Sequence, residues 1–431
     1  MTANRPNILY IHSHDTGRYV QPYGHAVPTP NIQRLAEQGV LFRKAFSAAP
    51  TCSPSRAALL TGQAPHSSGM LGLAHLGFSL HDYRQHVLHT LRGAGYQSTL
   101  IGMQHIAPTN KVSIIGYDHV AAVPNELAQS VAPEAARFLS NSPDQPFFLD
   151  VGLQETHRAF FEPGAAEDPR YCLPPQPLPD TPEIRQDMAA FKASARSMDQ
   201  GFGMVMDALD QSGLAQNTLV ICTTDHGLAF PRMKCTLTDS GIGVMLMMRG
   251  PGGFDGGQVC DALVSHIDIF PTVCDLLEIE SPDWLQGKSL LPLIRNEAEQ
   301  INPAIFAEVT YHVAYEAQRA IRTPRWKYIR RFTDRTRPLL SNCDASPSKT
   351  FWLEYGWRDQ TIDQEQLYDL IFDPNEVNNL AAKPVMADVL GELRNSLDRW
   401  MHTTNDPLLN GPVPAPAGAL VGDPDSIDAQ I

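Results

Sequence analysis

The chain has 431 residues, of which 43% are hydrophobic and 19% are charged, and its net charge is −14 at neutral pH. This length and composition are typical of a soluble globular protein with room for one large domain and a smaller one. The acidic balance argues against nucleic acid as a partner, and no apolar run approaches the ~20 residues that span a bilayer, so we expect no membrane association.

Cysteine usage and the N-terminus bear on the compartment. The seven cysteines show no CxxC pair and no disulfide-framework spacing. The N-terminus runs almost directly into an apolar strand, with no charged and apolar leader and no cleavage site. We therefore expect a reducing, cytoplasmic location, and the pattern indicates no particular oligomeric state.

Apolar strands alternate with helices through the first 303 residues. Asn7–His12 (NILYIH) has the pattern of a buried strand, and TPNIQRLAEQG predicts a helix capped by Thr29 and ended by Gly39. The order of helix and then strand recurs in HVLHTLRGAGYQSTLIGMQH, VAPEAARFLSNSPDQPFFLDVGLQETH and SMDQGFGMVMDALDQSGLAQNTLVICTTDHG. This alternation predicts an α/β fold over residues 1–303, with a large doubly wound sheet sandwiched by helices.

Within this region, the stretch APTCSPSRAALLTG places Cys52 just ahead of a short helix. Ser53 is predicted as its N-cap, Pro54 as its first residue and Gly62 as its end. The positive end of a helix, with Arg56 one turn further on, suits a nucleophile or an anion site. A half-buried structural thiol beside a surface arginine explains the short motif equally well.

The pattern changes after residue 303. The stretch AIFAEVTYHVAYEAQRAIRTPRWKYIRRF alternates as strands do, with hairpin turns and no intervening helices, and VMADVLGELRNSLDRWMH predicts an amphipathic helix. We expect a smaller C-terminal α+β subdomain over residues 304–409. Residues 410–431, rich in proline, alanine and glycine, are expected to form a loosely held arm.

Polar residues follow four of the predicted strands: His14 and Asp15, His105, His157 and Arg158, and Asp225 and His226. Ligands in such sheets bind beyond the carboxyl ends of the strands, so these groups should meet at one edge. There, Asp15, Asp225 and His226 make a plausible divalent cation site, to which His14 could add a further group. Taken singly, each residue also has a structural explanation, as a turn residue or a hydrogen-bonded histidine.

With these motifs the sequence resembles the type I sulfatases of the alkaline phosphatase superfamily. CSPSR matches that family's C-x-P-x-R signature, and RPNILYIHSHD and TTDHG resemble its two metal strands. RMKCTLTDSGIGVMLMMRGPG resembles the segment with an active-site lysine, here Lys234. Within the family, CSPSRAALLTGQAPHSSGMLGLAH and LDRWMHTTNDP are most similar to the N-sulfoglucosamine sulfohydrolases, the heparan N-sulfatases.

The resemblance implies an alkaline phosphatase-like fold and hydrolysis of a sulfate ester or sulfamate of a sugar or a small organic molecule. It implies that a formylglycine-generating enzyme oxidises Cys52 to formylglycine. It assigns proton transfer to His157, with His105 as a second candidate. The implied catalytic residues are Cys52, Arg56, His105, His157 and Lys234, and the implied metal ligands are His14, Asp15, Cys52, Asp225 and His226.

Two positions depart from the family pattern. The family has adjacent aspartates where this chain has His14 and Asp15, and a lysine where it has Met103. Imidazole in place of carboxylate shifts the preference from Ca²⁺ toward Mn²⁺ or Zn²⁺. One divalent cation is expected, Ca²⁺ or Mn²⁺, with Zn²⁺ as a further candidate. The role of the missing lysine would pass to His105, Arg158 or Arg232.

Two alternatives stay open on the sequence. A phosphonate monoester or phosphodiester hydrolase could use the same fold, formylglycine and DHG motif. A catalytically inactive sulfatase-like binding protein would account for His14 and Met103. Whether the protein releases sulfate or phosphate distinguishes a sulfatase from the first alternative. An unmodified thiol at position 52 would favour the second.

Overall fold

The structure is a computed structural model that describes residues 5–141 and 146–429. The first residues of the predicted 1–303 domain and the last two of the predicted arm lie outside the described residues. Eight strands form the larger sheet: β1 Asn7–His12, β2 Val40–Phe46, β3 Gln97–Gly102, β4 His119–Val120, β5 Phe147–Gly152, β6 Thr218–Thr223, β7 Leu246–Arg249 and β8 Gln258–Ser265. Four strands form the smaller sheet: β9 Ile305–Tyr311, β10 Tyr315–Arg322, β11 Trp326–Arg331 and β12 Glu365–Asp369.

The helices occupy the connections between these strands. They are α1 Pro30–Gln38, α2 Cys52–Thr61, α3 Pro65–Ser68, α4 Val87–Gly93, α5 Ala128–Ser140, α6 Pro182–Gln211, α7 Asp239–Ile242, α8 Ile269–Leu276, α9 Leu291–Ile294, α10 Pro347–Glu354 and α11 Ala387–Thr403. In the described part of the chain, no helix is both long enough and apolar enough to cross a membrane.

The larger sheet has the strand order β4-β3-β5-β1-β6-β7-β2-β8. Its strands run parallel except β7, which pairs antiparallel with β6 and with β2. Alternate residues of β1 pack on opposite faces: Tyr10 clusters with Leu88 of α4 and Leu9 with Phe202 of α6. The predicted α/β fold, a mixed sheet sandwiched by helices, is confirmed.

The smaller sheet is an antiparallel meander in the order β12-β11-β10-β9. One of its faces, with Ala320, packs with Phe46 of the larger sheet, and the other, with Ile321, packs on Leu393 of α11. The α+β character predicted for the C-terminal part is therefore confirmed, whereas the boundaries at residues 303 and 409 remain predictions.

Two local predictions are wrong. Helix α2 begins at Cys52 with Thr51 as its N-cap, because the Ser53 hydroxyl instead donates to the backbone carbonyl of His105 at 2.6 Å. The arm is not loosely held, since the Leu420 amide donates to the Leu76 carbonyl at 2.8 Å and other backbone groups of the arm bond to neighbouring loops. Gly62 does end α2, in the left-handed conformation (φ 67°) that favours glycine.

Candidate active site

The site lies at the carboxyl ends of four neighbouring strands, β3, β5, β1 and β6, which run parallel to one another. His14 and Asp15 follow β1, and Asp225 and His226 follow β6. The topology therefore brings together polar residues that lie more than 200 positions apart in the chain. Asp15 turns back toward the cluster in a left-handed conformation, with φ of 55°.

Five side chains meet at this edge, and each offers one ligand atom within 4.8 Å of the others: His14, Asp15, Cys52, Asp225 and His226. His14 Nδ1 lies 2.8 Å from Asp15 Oδ1 and 3.1 Å from Asp225 Oδ2. His226 Nε2 lies 3.2 Å from Asp15 Oδ1. All five are buried, so their charges interact in a medium with little screening.

The chemistry of the donor set fits a divalent cation. His226 donates its Nδ1–H to the Gly227 carbonyl at 3.0 Å, which leaves the lone pair of Nε2 facing the Asp15 carboxylate. Metal-binding histidines are commonly oriented in this way by a backbone carbonyl. Burial lowers the pKa of His14 to about 4, so that its imidazole is neutral at physiological pH. Two carboxylates and two imidazoles suit Mn²⁺ or Zn²⁺ as well as Ca²⁺.

The two carboxylates remain ionised because cations lie beside them. Burial acts to raise the pKa of Asp15, but the ammonium of Lys234 outweighs it, and the pKa falls well below its ordinary value. Burial also acts to raise the pKa of Asp225, but its interactions with His226 and with the guanidinium of Arg56 outweigh that effect and lower the pKa. Both groups are therefore available as anionic ligands at neutral pH.

Cys52 occupies the first turn of α2, a helix whose ten residues are all buried. Its Sγ lies 3.4 Å from His226 Nε2, and the residue is only 2% exposed. Burial raises the pKa of the thiol well above its ordinary value. Desolvation by burial therefore outweighs the favourable effect that the N-terminal end of α2 would have on a thiolate at this position.

Arg56, one turn further along α2, lies inside the cluster rather than at the surface. Its Nη2 donates to Asp225 Oδ2 and to the Ser13 carbonyl, both at 3.0 Å, and its Nη1 donates to His12 Nδ1 at 2.7 Å. His12 Nε2–H in turn donates to Asp150 Oδ1 at 2.9 Å. A buried chain of hydrogen bonds thus fixes the guanidinium from β1 and β5.

Lys234 reaches the cluster from the loop after β6. Its Nζ lies 2.8 Å from Asp15 Oδ2, 3.4 Å from His157 Nε2 and 3.1 Å from Asp344 Oδ2. Burial acts to lower the pKa of Lys234, but the two carboxylates outweigh it, so the ammonium stays charged. His157 donates its Nδ1–H to the Arg158 carbonyl at 2.6 Å, which leaves Nε2 directed toward the Lys234 ammonium.

His105 lies at the edge of the cluster. Its ring centroid is 5.6 Å from that of His14, and its Nε2 lies 3.1 Å from Nδ1 of the exposed His75. Of the predicted substitutes for the missing lysine, Arg158 is held by both oxygens of Asp187 at 2.7 Å. Arg158 therefore directs its charge away from the cluster.

Sequence reasoning missed His12, Asp150, Asp344 and His312. Two of them carried a signal, because His12 and Asp150 are polar residues in mostly apolar, fully buried strands. Buried polar residues need hydrogen-bonding partners, and here His12 bonds to both Asp150 and Arg56. Asp344 lies in an irregular segment far along the chain, where no periodicity marks it.

Comparison with known proteins gives two family models that match the chain. Residues 6–279 match the model described as Sulfatase. Residues 227–350 match the model described as N-sulphoglucosamine sulphohydrolase, C-terminal. The two matches overlap across the loop that carries Lys234.

Relatives match along nearly the full length. Human N-sulphoglucosamine sulphohydrolase is 30% identical over 95% of this chain and 92% of its own length. An ulvan-active sulfatase of Formosa agariphila is 28% identical over 93% of this chain and 76% of its own. The structure of BT4656, solved with its substrate D-glucosamine-2-N,6-O-disulfate, has a TM-score of 0.73 at 19% identity and covers 95% of this chain and 99% of that one.

Proposed function

The chain belongs to the sulfatase family, and we propose that its buried cluster hydrolyses a sulfate ester or sulfamate carried by a sugar. Water is consumed, and the products are inorganic sulfate and the sugar alcohol or amine. A formylglycine-generating enzyme oxidises Cys52, and one divalent cation completes the site. The expected cytoplasmic location is part of this proposal, and the other six cysteines, all free thiols, support it.

Asp15, Asp225, His14 and His226 would hold the cation, beside residue 52. The cation supplies Lewis acidity that withdraws charge from the sulfuryl group and from a hydroxyl on residue 52. Formylglycine supplies, in its hydrated form, a nucleophilic hydroxyl and a second hydroxyl whose deprotonation allows sulfate to leave.

The chain's own residues bind, orient and move the proton. Lys234 holds a positive charge where the sulfuryl oxygens gain negative charge in the transition state. Arg56 keeps residue 52 and Asp225 in a fixed relation from one turn of helix away. His157 carries the proton at Nε2 and donates it to the leaving oxygen or nitrogen, and its 26% exposure allows reprotonation from solvent.

The observation that carries this proposal is the convergence of Cys52 with two ionised carboxylates and the acceptor atom His226 Nε2. A structural thiol needs no such neighbours. Although Lys234 and Arg56 each pair with one of the carboxylates, acceptor atoms of both still face one another, an arrangement that a divalent cation would stabilise. The position of Cys52 in the C-x-P-x-R signature supports its oxidation.

The test is to produce the chain together with a formylglycine-generating enzyme and load it with Ca²⁺ or Mn²⁺. Mass spectrometry of the peptide with Cys52 should show the CH₂SH group replaced by an aldehyde. The loaded protein should release inorganic sulfate from N-sulfoglucosamine or glucosamine 6-sulfate. Cys52→Ala should abolish release, whereas Cys260→Ala, at a half-buried thiol on β8, should leave it unchanged.

Other results would overturn the proposal. Release of a phosphonate from phosphonate monoesters, or of a phosphomonoester from phosphodiesters, without release of sulfate would assign the site to phosphorus chemistry. An unmodified thiol, despite the presence of the maturation enzyme, would indicate a binding protein.

A further inference from the structure

A carboxylate from the C-terminal part of the chain lies beside the reaction centre. Asp344 belongs to the irregular segment between β11 and α10. Its Oδ2 lies 3.1 Å from Lys234 Nζ, the ammonium that also binds Asp15. A segment between two strands of the smaller sheet thus contributes a charge to a site that is otherwise built by residues next to the larger sheet.

This carboxylate has unused hydrogen-bonding capacity. Asp344 Oδ2 is buried and pairs with the Lys234 ammonium, no other described residue donates a hydrogen bond to it, and the side chain as a whole is 24% exposed. An ionised carboxylate can accept about four hydrogen bonds. Burial acts to raise the pKa of Asp344, but Lys234 outweighs it and the pKa is lowered, so the group is ionised at neutral pH.

The backbone around Asp344 is held in place from both sides. Upstream, the Asn342 side-chain oxygen accepts from the amides of Val313 and Ala314 at 3.0 and 3.1 Å. Downstream, Lys349 donates to the carbonyl of Cys343 at 2.8 Å. A side chain on such a fixed segment is positioned in advance of ligand binding.

A second polar group with unused hydrogen-bonding capacity lies nearby. His312 is 6% exposed, and no described residue bonds to its Nδ1. Burial and the charge of Lys234 lower the pKa of His312 to about 3, while Asp344 acts to raise it. His312 is therefore a neutral imidazole in the electrostatic field of Lys234 and Asp344, and its Nδ1 has hydrogen-bonding capacity to spare.

The negative charge of Asp344 repels a sulfate group and so weakens its binding, unless another part of the substrate interacts favourably with the carboxylate. Orienting Lys234 does not require Asp344, because Asp15 already binds the same ammonium at 2.8 Å. Groups that could use the free lone pairs are the hydroxyl and ammonium donors of a sugar attached to the sulfate.

Resting on the proposed sulfatase function, we propose that Asp344 is a specificity-determining residue that accepts hydrogen bonds from hydroxyl or ammonium groups of the leaving sugar. The preferred substrate is then a monosulfated neutral or amino sugar. A second anionic group next to the scissile sulfate would face the carboxylate and be disfavoured.

The test compares Asp344→Asn with the wild type on two substrates, glucosamine 6-sulfate and 4-nitrophenyl sulfate, which has no sugar donors. We expect kcat/KM for the sugar to fall roughly 10- to 100-fold, as for the loss of a hydrogen bond to a charged group. For the nitrophenyl ester the change should stay below about threefold, since that leaving group makes no such bond. Asp359→Asn removes a carboxylate that is 75% exposed and should change neither value.

Equal losses on both substrates, or no loss on the sugar, would overturn this inference while leaving the sulfatase function intact. If the wild type releases sulfate from neither substrate, the proposed function fails first. Should Asp344→Asn fail to fold, inhibition of the wild type on 4-nitrophenyl sulfate decides: glucosamine should inhibit more strongly than glucuronate. Equal inhibition by the two sugars would also contradict the proposal.

Discussion

Arg56 shows how much of the site's geometry one side chain can fix. Its guanidinium binds an aspartate, a backbone carbonyl and a histidine at once, and it is 2% exposed. A lysine has a single point of charge and cannot reproduce this planar set of donors. The two residues are therefore not interchangeable at this position.

We predict that Arg56→Lys lowers the rate of sulfate release about 100-fold, the size of effect seen when one positioned donor is removed. Steady-state kinetics on glucosamine 6-sulfate measures the change. Arg34→Lys alters an exposed pair with Asp207 and should keep the full rate. Equal rates for Arg56→Lys and Arg34→Lys would show that the planar guanidinium of Arg56 has no catalytic role.

His86 illustrates a titratable group far from the cluster. It is the N-cap of α4, its Nδ1 accepts from the Leu88 amide at 3.1 Å, and it is fully buried. Burial lowers the pKa of His86 to about 3, with a smaller contribution from His89. Protonation would remove both the acceptor and the neutral state that burial requires.

This predicts a pH dependence of stability. In the unfolded chain the histidine pKa is near 6.5, so the unfolded state binds the proton first and stability falls as the pH drops from 6.5 toward 3. At pH 5 the loss from this group is about 2 kcal/mol of unfolding free energy relative to pH 7. Urea unfolding at both pH values should show a smaller difference for His86→Asn, which retains a capping oxygen.

The matched control is His402→Asn, at an exposed position near the end of α11. It should retain the wild-type difference between pH 7 and pH 5. An unchanged difference in His86→Asn would mean that other groups account for the acid sensitivity.

At the scale of elements, the placement of the site followed from strand endings. The polar groups after β1, β3, β5 and β6 were predicted to share an edge, and these four strands are neighbours in the sheet. The prediction succeeded because parallel strands must direct their carboxyl ends the same way. The N-cap of α2 was not predictable from the local sequence, because the Ser53 hydroxyl hydrogen-bonds to a loop that is distant in sequence.

The same edge predicts stabilisation by metal ions. Adding Ca²⁺ or Mn²⁺ at about 100 times its dissociation constant should raise the unfolding free energy by about 2.7 kcal/mol. Chelation should reverse the rise, as followed by thermal unfolding. Asp225→Asn should abolish the response, and Asp207→Asn, at an exposed carboxylate, should retain it. A response that survives in Asp225→Asn would place the cation elsewhere.

At the scale of the whole molecule, a buried ionic cluster joins β10, β9 and the segment after α11. Arg319 is fully buried, binds Asp406 through Nε at 2.5 Å and Nη2 at 3.0 Å, and lies 3.6 Å from Glu308. His66, in α3, hydrogen-bonds to Glu308 as well. The smaller sheet is thereby tied to the short helix that follows the Cys52 helix.

We predict that Arg319→Met destabilises the protein by about 3–5 kcal/mol, because it leaves buried carboxylates without their cation. Arg330→Met, which breaks an exposed pair with Asp398, should cost less than about 1 kcal/mol. Chemical unfolding measures both values. Similar costs for the two variants would show that the buried cluster contributes no more than a surface pair.

Sequence patterns predicted the α/β sheet and the smaller α+β part because periodicity reports which faces are buried. They did not predict how the two parts meet. Asp344 and His312 reach the site through loop packing, which depends on the whole fold and leaves no local pattern. The tethered path of residues 410–429 escaped prediction for the same reason, since many of its bonds use its backbone groups, which any residue could supply.

The burial of Cys52 also constrains when the enzyme can be made active. Because Cys52 lies in a fully buried helix, its sulfur is not accessible to a modifying enzyme in the folded protein. The proposed oxidation must therefore take place before this segment folds. Copies that fold with the thiol intact would stay inactive, so the active fraction would be set before folding is complete.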